Sequence, residues 1–178
     1  MKKPIVIAAA CAVAAFAGCG HGTPAKKAFD GSRGEVKLMT LDPGHFHAAL
    51  VQMYMYDQVD PTVRVYAPEG DDVKMHLDRV AIYNGRAEDP TSWDEQVYTG
   101  DDFLQKMIAD RSGNVVVLAG NNGKKTGYVE AAVEAGINVL SDQPMAIDGK
   151  RFAQRERTLD KAADDGVLVY DIMTERSE

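Results

Sequence analysis

The sequence has little with which to staple a fold covalently. Its two cysteines, Cys11 and Cys19, both fall in the first twenty of 178 residues, so a disulfide framework is excluded for everything after them. Cysteine usage leaves the redox compartment open. Positive charge is also scarce: 20 Lys and Arg face 27 Asp and Glu, for a formal net charge of −7. No basic stripe is present to neutralise phosphates, which excludes a nucleic-acid partner. Aromatic residues make up 7%, with a single tryptophan, Trp93. The one long apolar run, 5–17, is too short and wrongly flanked for a spanning helix. What remains is ordinary for a soluble globular domain, 45% apolar and 26% charged, in a chain long enough for one core but hardly two.

Lys2 and Lys3, the apolar run and the small residues before Cys19 together read as a secretory signal over residues 1–18. Phe16-Ala17-Gly18-Cys19 resembles a bacterial lipobox, in which Cys19 becomes the lipidated first residue of the mature protein. Plain cleavage near Ala17 is the alternative. Either route places the folded part outside the cytoplasm, as a membrane-anchored lipoprotein or a periplasmic protein. Residues 19–34, short of large apolar side chains and rich in Gly, Lys, Ser and Thr, read as a flexible tether.

The folded region is organised around residues 114–145. Val115-Val116-Val117-Leu118 is a β-branched run of the kind buried on both faces of a parallel sheet. A helical pattern through Tyr128, Ala131, Ala132 and Ala135 follows and is stopped by Gly136. The strand Ile137-Asn138-Val139-Leu140 and a polar tip, Ser141-Asp142-Gln143-Pro144, complete a βαβ unit. Before it come strands expected at 36–41, 62–66 and 97–98, and helices at 46–56, 71–83 and 101–109. After it come a helix at 149–163, with Phe152, Leu159, Ala162 and Ala163 inside, and a buried strand at 167–170. Trp93 is expected to anchor a loop on the core, and Val73, Leu77, Val80 and Ala81 to form the inward face of their helix. The alternation predicts an α/β fold, a Rossmann-like doubly wound parallel sheet with helices on both faces. Ligands of such sheets bind at the carboxyl ends of the strands.

AGNN…AAVEAGINVLSDQPM resembles the segment that defines the Gfo/Idh/MocA oxidoreductases, with an alanine–glycine pair, a short strand and then Glu-Lys-Pro. Asp142 stands at the Glu position, Gln143 at the Lys position and Pro144 at the Pro position, and the resemblance runs from about Val36 onward. It implies an NAD(P)-binding Rossmann domain over 35–173, followed in the family by a substrate domain that acts mostly on sugars and polyols. Residues 174–178 stand where that second domain begins, so this chain is expected to be the nucleotide-binding part alone. The family's Thr-Pro-Asn loop is matched by Gly120-Asn121-Asn122, of which only Asn122 agrees, and Lys125 falls at its His position. The resemblance also implies a cis bond before Pro144.

Asp42-Pro43-Gly44 is a turn between strand and helix, the setting a dinucleotide pyrophosphate needs. Against G-x-G-x-x-G, only Gly44 survives. Asp42 takes the first glycine position, where it repels phosphate unless it turns away, and His47 takes the third, where it holds the helix off the sheet. His45 and His47 line the cofactor cleft, or one of them caps the helix. Two imidazoles in one turn also suit a metal, but sequence places no third ligand and no metal site is assigned. Glu69 is the first acid after the second strand and is either a ribose ligand or a solvated turn residue; NAD or NADP is left open. Asn121 and Asn122 either bond a ribose or nicotinamide amide or form the cap of the following helix. Its Lys124 and Lys125 could neutralise phosphate but, as is commoner for helix lysines, are expected exposed.

Gln143 can position a ligand but cannot carry charge or shuttle a proton as the family's Lys does. Three readings follow: the NAD(P)-binding domain of an exported oxidoreductase, inactive alone; a non-catalytic exported binding lipoprotein; or an inactive fragment. Free NAD(P) is scarce outside the cytoplasm, so a cofactor would be loaded before export or held tightly.

Overall fold

A computed structural model describes residues 29–172; the expected signal sequence, Cys19 and most of the expected tether lie outside the described residues, as do residues 173–178. Six strands and five helices alternate. They are β1 (Leu38–Leu41), α1 (His47–Leu50), β2 (Thr62–Ala67), α2 (Asp71–Gly85), β3 (Asp94–Thr99), α3 (Phe103–Asp110), β4 (Val115–Leu118), α4 (Asn122–Glu134), β5 (Asn138–Ser141), α5 (Gly149–Asp165) and β6 (Val169–Asp171). All pairings are parallel, in the order β3-β2-β1-β4-β5-β6. That is the doubly wound order, with the switch point between β1 and β4. No helix among the described residues is long and apolar enough to cross a membrane.

The strand pattern explains the two layers. Successive side chains point to opposite faces, so a strand buried on both sides must be apolar throughout. Val116 and Leu118 join Met39, Leu41, Met107, Tyr128, Val129 and Ala132 in the core beneath α3, α4 and α5. Val115 and Val117 join Leu38, Ala48, Ala49, Val63, Val80 and Trp93 in the core beneath α1 and α2. Trp93 is buried and its indole N–H donates to the Gln52 carbonyl at 2.6 Å, which fixes the segment after α1 to the entrance of β3.

Four expectations need correction. The helix expected over 46–56 is a single turn, His47–Leu50, followed by further turns. Its Ala48 and Ala49 are fully buried, but four residues cannot build up an appreciable dipole. In α2 Val73 and Val80 face inward as expected and His76 joins them, while Ala81 faces solvent. In α5 the inward residues are Thr158 and Ala162, with Phe152 51% exposed and Ala163 also exposed. The last strand, expected buried, is the sheet edge, and Leu168 and Tyr170 are exposed there. An edge strand needs cover on one side only, and an apolar run cannot reveal which strand ends a sheet.

The two central turns meet backbone to backbone. Gly120 has φ +79°, and a Cβ there would lie 2.7 Å from the Gly44 Cα. The Gly44 N–H donates to the Ala119 carbonyl at 2.9 Å. Gly120→Ala is therefore expected to cost more than about 1 kcal/mol in urea denaturation. Gly127→Ala, on the exposed side of α4 with nothing within 4 Å of its added methyl, is expected to gain about 0.5–1 kcal/mol.

Candidate functional site

Three turns reach the carboxyl edge of the sheet around the switch point: 42–46 after β1, 119–121 after β4 and 142–144 after β5. Asp42 is left-handed, φ 46°, so an aspartate makes the tight turn that the family makes with glycine. Its carboxylate is buried and paired. It accepts from the Tyr128 hydroxyl at 2.7 Å and lies 3.5 Å from Lys124 Nζ. Burial and this carboxylate push the Tyr128 phenol well above its ordinary value. Asn121, also left-handed, donates from its side chain to the Asp42 carbonyl at 3.0 Å, and its side chain makes no cap bond to α4. The expected cap role is thus replaced by a brace between the two turns.

Beneath the turns lies a buried ion pair. Lys125, expected exposed, is 1% exposed, and its ammonium pairs with Asp142 and donates to Asn122 Oδ1 at 2.7 Å. Lys125 falls on the same face of α4 as Tyr128, Val129 and Ala132, so the helical period carries it inward. Asp142 is 3% exposed and receives the Gly120 N–H at 3.3 Å. Its Oδ2 lies 3.3 Å from His47 Nδ1 and 3.7 Å from His45 Nδ1. The structure therefore gathers Gly120, Asn122, Asp142, His45 and His47 in one cluster, with Asp142 beneath the rim instead of on it. The ligand-type atoms of His45, His47 and Asp142 lie within 4.8 Å of one another. Gln143, expected at the reacting centre, donates to Asp171 Oδ2 at 3.0 Å, toward β6. The bond between Gln143 and Pro144 is cis, as expected, and Pro144 is exposed.

Glu69 stands apart from this cluster. It lines a cleft of about 260 Å³ between the turns after β1 and β2, with Asp42, Pro43, Pro68, Gly70 and Asp72. Glu69 is exposed there, at the end of β2 and beside the Gly44 turn, a position open to either of its expected roles. A second cleft, of about 210 Å³, opens between α1 and α2 and is lined by Gly44, His45, Phe46, Met75, His76 and Arg79. His76 is 5% exposed, and neither ring nitrogen has a hydrogen-bond partner among the described residues. Burial, helped by Arg79, lowers its pKa to about 4. The spacing of His76 with Val73 and Val80 marks it as inward.

These features define the class: a nucleotide-binding domain of Rossmann type, with its ligand rim at the β1–β4 switch point. No protein-family model matches the sequence, and none of the curated proteins does. Among solved structures, a presumptive oxidoreductase from Parabacteroides merdae is 58% identical, with a TM-score of 0.83 over 85% of this chain and 35% of its own. A myo-inositol 2-dehydrogenase from Lactobacillus plantarum shares the fold at 11% identity, TM-score 0.57, over 80% of this chain and 38% of its own. So does a biliverdin reductase from Synechocystis, solved with biliverdin and NADP+, at 16% identity and TM-score 0.56, over 77% and 37%. The chain belongs to the Gfo/Idh/MocA oxidoreductase family, of which it carries the Rossmann domain. It spans little more than a third of the length of these solved relatives.

Two stability outcomes are expected. Lys125→Met leaves the Asp142 carboxylate buried without its cation, at a cost of about 3–5 kcal/mol by chemical denaturation. His76, whose folded pKa is depressed, stabilises the fold above the unfolded imidazole value near 6.5, and that stability is lost as pH falls toward 4. His76→Leu is expected to flatten the fall in melting temperature over that window relative to the wild type.

Proposed function

We propose that this chain is the NAD(P)-binding domain of an exported oxidoreductase acting on sugar- or polyol-like CH–OH groups. The observation that carries the reading is the 58% identical oxidoreductase-type relative, aligned over nearly the whole folded region. The rim supports it in three ways. Asp42 keeps its carboxylate buried and paired, Glu69 stands at the lip of the ribose-sized cleft, and the Gly44–Gly120 contact leaves the turn low over the sheet. Glu69 would bind the ribose hydroxyls, and His45 would flank the pyrophosphate, whose charge the single turn of α1 meets only weakly. When bound, the nicotinamide supplies or accepts the hydride. Gln143 holds position through Asp171, and proton transfer falls to groups outside these turns.

Export, with anchoring through a lipid on Cys19, belongs to the same proposal and rests on the signal-like segment of residues 1–18. It implies a nicotinamide cofactor retained from the cytoplasm. A second reading, a non-catalytic binding lipoprotein on the Rossmann scaffold, is favoured by one observation. The residue at the family's Lys position is an amide tied to Asp171 instead of a free cation.

Titration of the purified chain with NADH and NADPH, following nicotinamide fluorescence, tests the first reading. Saturable binding is expected, with Glu69→Ala weakening it about tenfold, the equivalent of about 1.4 kcal/mol. Failure of both nucleotides to bind would overturn it and favour the binding lipoprotein.

A further inference from the structure

We propose that His45, His47 and Asp142 form a binding site for one transition-metal dication, with zinc the ion best suited to the donor set. Sequence supplies two imidazoles in a single turn; folding brings the third donor to them from 95 residues away. Two histidines and one carboxylate, with a fourth position left for a small ligand, are the donors of an open tetrahedral zinc site. Tetrahedral ligands at about 2.0–2.1 Å from the metal stand about 3.3–3.4 Å from one another. Asp142 Oδ2 lies 3.3 Å from His47 Nδ1 and 3.7 Å from His45 Nδ1, within a few tenths of an ångström of that spacing, and all three donor atoms lie within 4.8 Å of one another. Imidazole nitrogens select against magnesium and calcium, which take oxygen ligands.

The surroundings are those of a supported site. Asp142 and His47 are 3% and 6% exposed, and packing holds both in place. Ligating carboxylates are generally held by further hydrogen bonds, and Asp142 has the Lys125 ammonium on Oδ1 and the Gly120 N–H at 3.3 Å. The His45 side chain is 43% exposed, which gives an ion a path from solvent and an open side for the fourth ligand. With Lys125 already balancing Asp142, a bound dication leaves the cluster positive by two charges. An anionic oxygen, from hydroxide, phosphate or carboxylate, is then the favoured fourth ligand. The His45 ring also packs against Phe46 and His47, with centroids 4.4 and 4.2 Å apart, which holds the two imidazoles side by side over the same carboxylate. The site shares the rim with the nucleotide reading and does not rest on it.

The test uses the full chain without a histidine tag, stripped with a chelator and titrated with Co²⁺ in the absence of nucleotide. One equivalent is expected to bind saturably with the intense visible absorption of tetrahedral Co²⁺, and Zn²⁺ is expected to displace it. His45→Ala, at a half-exposed position that leaves circular dichroism unchanged, is expected to weaken binding more than about tenfold. His21→Ala, at a histidine that precedes the described residues in the sequence, is expected to leave it unaltered. Absence of saturable binding, a weak octahedral spectrum, or a tetrahedral one that His45→Ala leaves intact would each overturn the site.

Discussion

The Lys125–Asp142 ion pair is the contact on which the rim depends. Two charges have been taken out of water between the first turn of α4 and the end of β5, where neither would be tolerated alone. The pair rarely adds net stability over an apolar substitute, so its value lies in what it fixes. Asp142 is held at the one place where it meets the Gly120 N–H and both imidazoles. Lys125 in turn holds Asn122, and so the start of α4. Remove the cation and the carboxylate has reason to swing to solvent, taking with it the support for His47.

The family's glycines have been exchanged for residues that do equivalent geometric work with different chemistry. A left-handed Asp42 keeps the tight turn, and its carboxylate accepts a hydrogen bond from the Tyr128 hydroxyl and faces the Lys124 ammonium. At the third position His47 does not bring helix and strand together; α1 shrinks to one turn and the imidazole fills the space toward β5. The result is a nucleotide-type rim with a weak helix dipole and a polar, partly buried cluster where a phosphate-facing glycine would be.

Much of this was legible in the sequence. The β-branched run at Val115–Leu118 and the helical pattern closed by Gly136 fixed the central βαβ unit, because burial on both faces leaves no room for polar residues. The turns that carry Gly44, Glu69 and Pro144 were placed at the carboxyl edge of the sheet, since strand ends follow from strand order, whereas Asp142 lies beneath that edge. What was hidden depends on distance through space. A lysine reads as solvent-exposed until its buried carboxylate is known, and nothing near Lys125 in the chain announces Asp142. The length of α1 was overestimated because Ala, Leu, Val and Met favour helix locally, whereas Trp93 and its bond to Gln52 draw the segment after it away. Edge position was equally invisible, which is why β6 looked buried.

The contact between Gly44 and Gly120 has a mechanical consequence. In a doubly wound sheet the two mononucleotide halves part at the switch point, and a ligand can settle into the gap between them. Here that gap is latched. Gly44 bonds to Ala119, Asn121 to the Asp42 carbonyl and Tyr128 to the Asp42 carboxylate, each tying the first half to the second. The mouth therefore has no slack to widen. A bound molecule must lie across the top of the latch, sensed by both halves at once, and a push on either turn is felt directly by the other.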